Sequence, residues 1–143
     1  MNKEKFDRHL KILKDGISGR YGKLEQPVQG NTVWYGTTLE EVEHDANGRV
    51  ACQVRPLQEM FNTDSAVGKR AYETTQKIEK LLKRLPEGFR DAGIQPRSFI
   101  PYSDQSPKVR QAWKVYAAIL WEIGSLVANL GNRVNSSPEA LKN

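Results

Sequence analysis

The sequence predicts an α+β fold: three main helices, the last long and largely buried, packed against a small antiparallel sheet built on a hairpin over 38–55. Three patterns predict it. An unbroken 4-3 apolar repeat runs through Val109, Trp113, Tyr116, Leu120, Ile123, Val127, Leu130 and Val134, with a second apolar line beside it at Ala112, Val115, Ile119 and Leu126. Shorter helical repeats stand at Phe6, Leu10, Leu13 and Ile17, and at Val67, Ala71, Ile78, Leu81 and Leu85. Between these two, the chain around Asp45-Ala46-Asn47-Gly48 alternates apolar and polar residues in the manner of a half-buried strand pair.

In chain order, the first helix is expected over Asn2 to Asp15 with Gly16 as its stop. A breaker-rich loop follows through Gly19, Gly22, Pro27 and Gly30. Thr32 to Tyr35 reads as a short strand. In the hairpin, a left-handed Gly48 sets Val42 opposite Cys52 and His44 opposite Val50, which gathers Val42, Val50, Cys52 and Val54 on one face. Pro56 ends that strand, because it has no N–H for the ladder. The second helix spans Ala66 to Leu85 behind N-cap candidates at 62–65, and Pro86 and Gly88 end it. Residues 87–106 form a connector pinned by Phe89, Phe99 and Tyr102, with a strand at Arg97 to Ile100. Ser106 and Pro107 then start the long helix, serine at the cap and proline at the first position. One domain is expected over 1–143, with 135–143 as a disordered tail.

A chain of 143 residues with 38% hydrophobic and 27% charged residues has enough material for one core without metal or disulfide. Its single cysteine requires no oxidising compartment. The N-terminal segment is amphipathic rather than a signal peptide, and Val115 to Leu130 is too short and too polar to span a bilayer, so a cytoplasmic protein without membrane contact is expected. The net charge of +5 is segregated: 1–23 is basic, 24–65 acidic, 66–114 strongly basic and 115–143 neutral. Such asymmetry marks either a basic face for an anionic partner or charged surfaces that meet within the fold.

Four constellations bear on chemistry. In the hairpin register His44 and Cys52 share a face, so the imidazole would hold a thiolate, although a lone cysteine in a strand is more often a small buried hydrophobe. Glu40, Glu41, Glu43, His44 and Asp45 are metal-ligand types, but strand alternation divides them between two faces. Gly16, Gly19 and Gly22 with Arg20 and Lys23 make a basic glycine loop without the strand and helix of a phosphate-binding fingerprint. Lys69, Arg70, Lys77, Lys80, Lys83 and Arg84 stud the second helix, where Glu73 and Glu79 each precede a lysine by four residues and argue for an ordinary solvated face.

Trp121 falls outside both apolar lines and reads as an interface anchor. The resulting expectation is a non-catalytic binding protein, an accessory or inhibitory factor that meets an acidic protein or nucleoprotein complex through Lys69, Arg70, Lys77, Lys80, Lys83, Arg84, Arg20, Lys23 and Trp121. No cofactor is implied, and the helix at 108–134 offers a homodimer seam. The alternatives are direct nucleic-acid binding by the same residues, and a small enzyme using His44 with Cys52 or Glu40.

Overall fold

The computed structural model describes residues 2–21, 39–40, 43–44, 51–95 and 106–143, and among them the fold is helical. Five helices are bounded: α1 Asn2–Tyr21, α2 Ala51–Met60, α3 Ala66–Arg84, α4 Glu87–Ala92 and α5 Pro107–Ser136, followed by a 3-10 turn at Pro138–Ala140. No strand occurs among the described residues, where the one β feature is an isolated bridge between Phe61 and Leu141. The α+β expectation is therefore corrected to an α-helical architecture.

The hairpin over 38–55 fails because its alternation was ambiguous. Val54, Leu57 and Phe61 stand at helical spacing and are each fully buried, whereas Cys52, assigned to the same sheet face as Val54, is exposed. Residues 39–40 and 43–44 are helical as well. Pro56 lies inside α2 rather than ending a strand, and forfeits one helical hydrogen bond there. The expected strands at 32–35 and 97–100 lie outside the described residues.

Helix α1 runs past Gly16 because Ile17 continues the buried line of Phe6, Leu10 and Leu13. An interior glycine costs only about 1 kcal/mol relative to alanine, less than the roughly 1.5–3 kcal/mol gained by burying one large apolar side chain. Gly16 also admits the Gln53 side chain of α2: a Cβ there would lie 2.3 Å from Gln53 Oε1.

Helices α3 and α5 begin where their caps stand. Ser65 Oγ accepts a hydrogen bond from the Gly68 amide at 3.0 Å, and Ser106 Oγ accepts one from the Val109 amide at 3.2 Å, with Pro107 opening α5. The connector after α3 folds into α4, which Gly93 closes in the left-handed conformation at φ 69°.

Helix α5 is the hub of the core: α3 and α4 pack on one flank, α1 on the other, and the 3-10 turn near its C-terminal end. Trp113, Tyr116, Leu120, Ile123, Val127, Leu130 and Val134 are all buried. Phe89 of α4 meets the Trp113 ring edge-on at 4.8 Å, and Trp113 meets Tyr116 in the same way at 5.5 Å. The segment expected to fray is instead docked. Ala140 and Leu141 are buried, the Asn62 amide donates to the Ala140 carbonyl at 2.7 Å, and the Lys142 amide donates to the Met60 carbonyl at 2.8 Å.

Candidate functional site

Helix α3 is built from two faces. Gly68, Ala71, Thr74, Thr75, Ile78, Leu81 and Leu82 turn inward. Both buried threonines satisfy their hydroxyls within the helix, Thr74 Oγ1 donating to the Arg70 carbonyl and Thr75 Oγ1 to the Tyr72 carbonyl. Lys69, Arg70, Lys77, Lys80, Lys83 and Arg84 are all exposed. At 3.6 residues per turn these six fall within an arc of about 140° that contains a single acid, Glu73. The array rises about 22 Å along the helix from Lys69 to Arg84.

Five of these six cations make no ion pair among the described residues. The i,i+4 pairing of Glu73 with Lys77 and of Glu79 with Lys83, which the spacing predicts, is not formed there. Arg84 is the exception: its Nε donates to Glu87 Oε2 at 3.0 Å and its Nη2 to Glu87 Oε1 at 2.9 Å. That two-pronged bond raises the guanidinium pKa further and lowers the Glu87 carboxyl below the ordinary glutamate range. The pairing crosses the helix break at Pro86, where spacing within α3 gives no hint of it; a glutamate three residues beyond a terminal arginine was the available signal.

Elsewhere the two blocks of opposite charge do meet inside the fold, since Arg90 Nε donates to Glu43 Oε1 at 3.0 Å. The Glu43–Arg90 contact accounts for one cation outside α3 and leaves the α3 face untouched.

Trp121 is 58% exposed on α5, at the edge of the exposed polar arc formed by Gln111, Lys114, Glu122, Ser125, Asn129 and Asn132. Helices α3 and α5 run antiparallel. Gly68 lies against the Ala140 carbonyl, Arg84 feels the charge of Glu122, and Gly88 just beyond α3 lies against Ala112 and Val115. Trp121 is turned about 100° around α5 from Glu122, toward the flank where α1 lines a hollow with Ala128, Gly131, Asn132 and Asn135. Val127, Leu130 and Val134 are fully buried within the single chain, so the apolar repeat itself supplies no reason for a second copy.

Among the described residues the other candidates do not assemble, for lack of the sheet that was to align them. Cys52 and His44 are both exposed and both in helical backbone, so the cross-strand register that paired them does not exist. Glu40 is exposed, and Glu41 and Asp45 lie outside the described residues; among those described, no group of three potential metal-binding side chains comes together. Gly16 and Gly19 lie in the helical backbone of α1, not in a loop, while the Arg20 side chain and Lys23 lie outside the described residues. No described helix is long and apolar enough to cross a membrane.

What these observations define is a helical protein carrying one basic helix face on which five of six cations are unpaired among the described residues, with an exposed tryptophan elsewhere, on α5. No family model, curated protein or solved structure matches the chain.

Proposed function

We propose that this chain is a non-catalytic binding protein that holds an anionic partner against the exposed face of α3, as an accessory or inhibitory factor of an acidic protein or nucleoprotein assembly. The supporting observation is that Lys69, Arg70, Lys77, Lys80, Lys83 and Arg84 share one exposed face containing a single acid. Unpaired cations held on a rigid helix attract anions without first breaking an internal ion pair, and they raise the local concentration of an anionic partner. A cytoplasmic setting fits this reading, since the single cysteine needs no oxidising compartment. The enzyme reading draws less support, because His44, Cys52 and Glu40 are each exposed and share no strand register.

The test compares two double charge reversals with the same change in net charge. Lys77→Glu/Lys80→Glu strikes the α3 face, and Lys5→Glu/Lys14→Glu strikes exposed positions of α1. Binding to heparin, as a generic polyanion, is measured by titration at fixed salt. The α3 variant is expected to bind about tenfold more weakly or worse, a loss of about 1.4 kcal/mol, and the α1 variant to stay close to the parent. Equal losses in the two variants would show that net charge, not the α3 face, governs binding, and would overturn the proposal.

A further inference from the structure

We propose that the flank of α5 carrying Trp121 is a self-association surface, on which each of two copies of this chain sets its Trp121 into a hollow between α1 and α5 of the other.

The apolar repeat of α5 is covered within one chain, but the flank beside it is not. Helices α1 and α5 leave between them a hollow of about 410 Å³, floored by the buried Leu10 and Val127 and the small Ala128 and Gly131. Exposed Lys11 and Lys14 stand at its rim. Lys11 is paired with Asp15, whereas Lys14 makes no ion pair among the described residues. An anion could take the Lys14 ammonium but would leave the apolar floor wet. A flat ring with an electron-rich face uses both, and tryptophan is the best such ring.

The chain itself exposes one. Trp121 is 58% exposed and lies off the buried stripe of α5, so no packing role holds it there. Trp121, Ala128, Asn132 and Asn135 fall within about 60° of one another around the helix, so ring and hollow open on one flank. They are separated by about 10–15 Å along the axis, the rise from Trp121 to Ala128 and Gly131. That spacing is self-complementary. When two copies of α5 pack antiparallel about a two-fold axis near Ser125, each Trp121 comes opposite residues 128–131 of the other copy, and both rings seat at once. Ala118, Ser125 and Ala128 are small and exposed, which lets the two helices approach. A foreign aromatic side chain would fill the hollow and leave Trp121 uncovered; a second copy covers both. Two partly exposed rings and a single helix seam bury less than the roughly 1,200 Å² at which standard interfaces begin, which places the pair among weak, reversible associations.

Sedimentation equilibrium of the full chain tests this over about 5–500 µM, a range that brackets a weak Kd on the order of 100 µM. Salt of about 0.5 M screens the charge of +5 on each copy and keeps any polyanion from bridging copies through α3. The parent is expected to pass from monomer to dimer across this range. Trp121→Ala is expected to weaken association about tenfold or more and to melt like the parent, since most of its ring is already in water. A Cβ at Gly131 meets Leu10 Cδ2 at 3.4 Å, an ordinary contact, so Gly131→Gln fills the hollow without strain. That variant is expected to lose association as fully while melting at or above the parent, because glutamine is the better helix former. An equimolar mixture of the two variants, one keeping the ring and the other the hollow, is expected to regain part of the association that neither shows alone. Heparin binding by Trp121→Ala is expected to match the parent, so this surface is read separately from the α3 face. A parent that stays monomeric at the upper concentration, association that survives Trp121→Ala, or a mixture no more associated than its components would overturn the inference and leave the α3 reading untouched.

Discussion

Helices α1 and α3 are nearly equal in length, at 20 and 19 residues, and both are amphipathic and lysine-rich, yet their charges are handled in opposite ways. In α1, Lys3 is paired with Asp7 at 2.6 Å and Lys11 with Asp15 at 2.7 Å, each one turn apart. In α3, Glu73 and Glu79 stand one turn before Lys77 and Lys83, the more favourable order for pairing on a helix, and neither pair closes among the described residues. Spacing alone therefore does not say which lysines are neutralised. An exposed pair of this kind is worth only about 0.3–0.5 kcal/mol, so small differences in side-chain length and direction decide whether it forms. The consequence is electrostatic: α1 presents a partly self-neutralised surface, and α3 presents five cations left unpaired among the described residues.

The two helices also differ in how firmly they are seated, and a glycine in each exposes the difference. A Cβ at Gly68 of α3 would lie 1.9 Å from the Asn62 carbonyl oxygen and 2.9 Å from that of Ala140, backbone atoms fixed by the docking of the C-terminal turn. Gly68→Ala is expected to lower the unfolding free energy by about 3 kcal/mol or more, in the range of severe overpacking. A Cβ at Gly16 of α1 meets only the far end of the Gln53 side chain, at 2.3 Å to Oε1. Gly16→Ala gains about 0.5–1 kcal/mol of helix propensity while displacing a mobile amide, so its net effect is expected within about 1 kcal/mol of zero. Denaturant unfolding of both variants measures the contrast, and similar losses in the two would mean that α3 is no more tightly seated than α1.

The same contrast marks what the sequence reveals and what it hides. Helices α3 and α5 are legible because each keeps one apolar stripe for several turns and opens at a serine cap, Ser65 or Ser106. Helix α2 is not, because over its short stretch Val50, Cys52 and Val54 fit period 2 as well as Val54, Leu57 and Phe61 fit a helix, and only the full burial of the latter three decides. Ala140 and Leu141 are hidden in a polar tail, where two small apolar docking residues give no periodicity. At the candidate site, the six cations are legible one by one, and their common face follows once α3 is a helix. The bond from Arg84 to Glu87 reaches beyond the helix end, and the availability of the other five is a property of side-chain geometry that no spacing rule carries.

Removing the neutralising acids of α1 sharpens the comparison at a smaller scale. Asp7→Asn/Asp15→Asn frees Lys3 and Lys11. The expected loss of stability is about 1 kcal/mol or less for the two exposed pairs together. Heparin binding is expected to stay close to that of the parent, since the proposed binding face is on α3. Affinity raised by the freed lysines would mean that α1 cations also belong to the binding face.

The smallest effect concerns the one α3 cation that does have a partner. The hydrogen bond from Arg84, ahead of its charge and that of Arg90, holds the Glu87 carboxyl below the ordinary glutamate range, against an opposing contribution from burial. A carboxylate whose pKa is depressed on folding contributes stability that is fully present above its unfolded pKa and is lost as pH falls through the folded value. Stability measured by denaturant unfolding should therefore drop on acidification through that window. The arginine and glutamate side chains are 56% and 30% exposed, so the drop belongs to the surface-pair range, at most about 1 kcal/mol. Glu87→Gln removes the titration and should flatten this part of the pH profile without changing the fold. It also releases Arg84, the last cation of the basic face, so anion affinity at neutral pH should rise slightly in the same variant. A pH profile that keeps its acid limb in Glu87→Gln would assign that limb to other carboxylates and would mean that the Arg84–Glu87 bond contributes nothing measurable to the seating of α3.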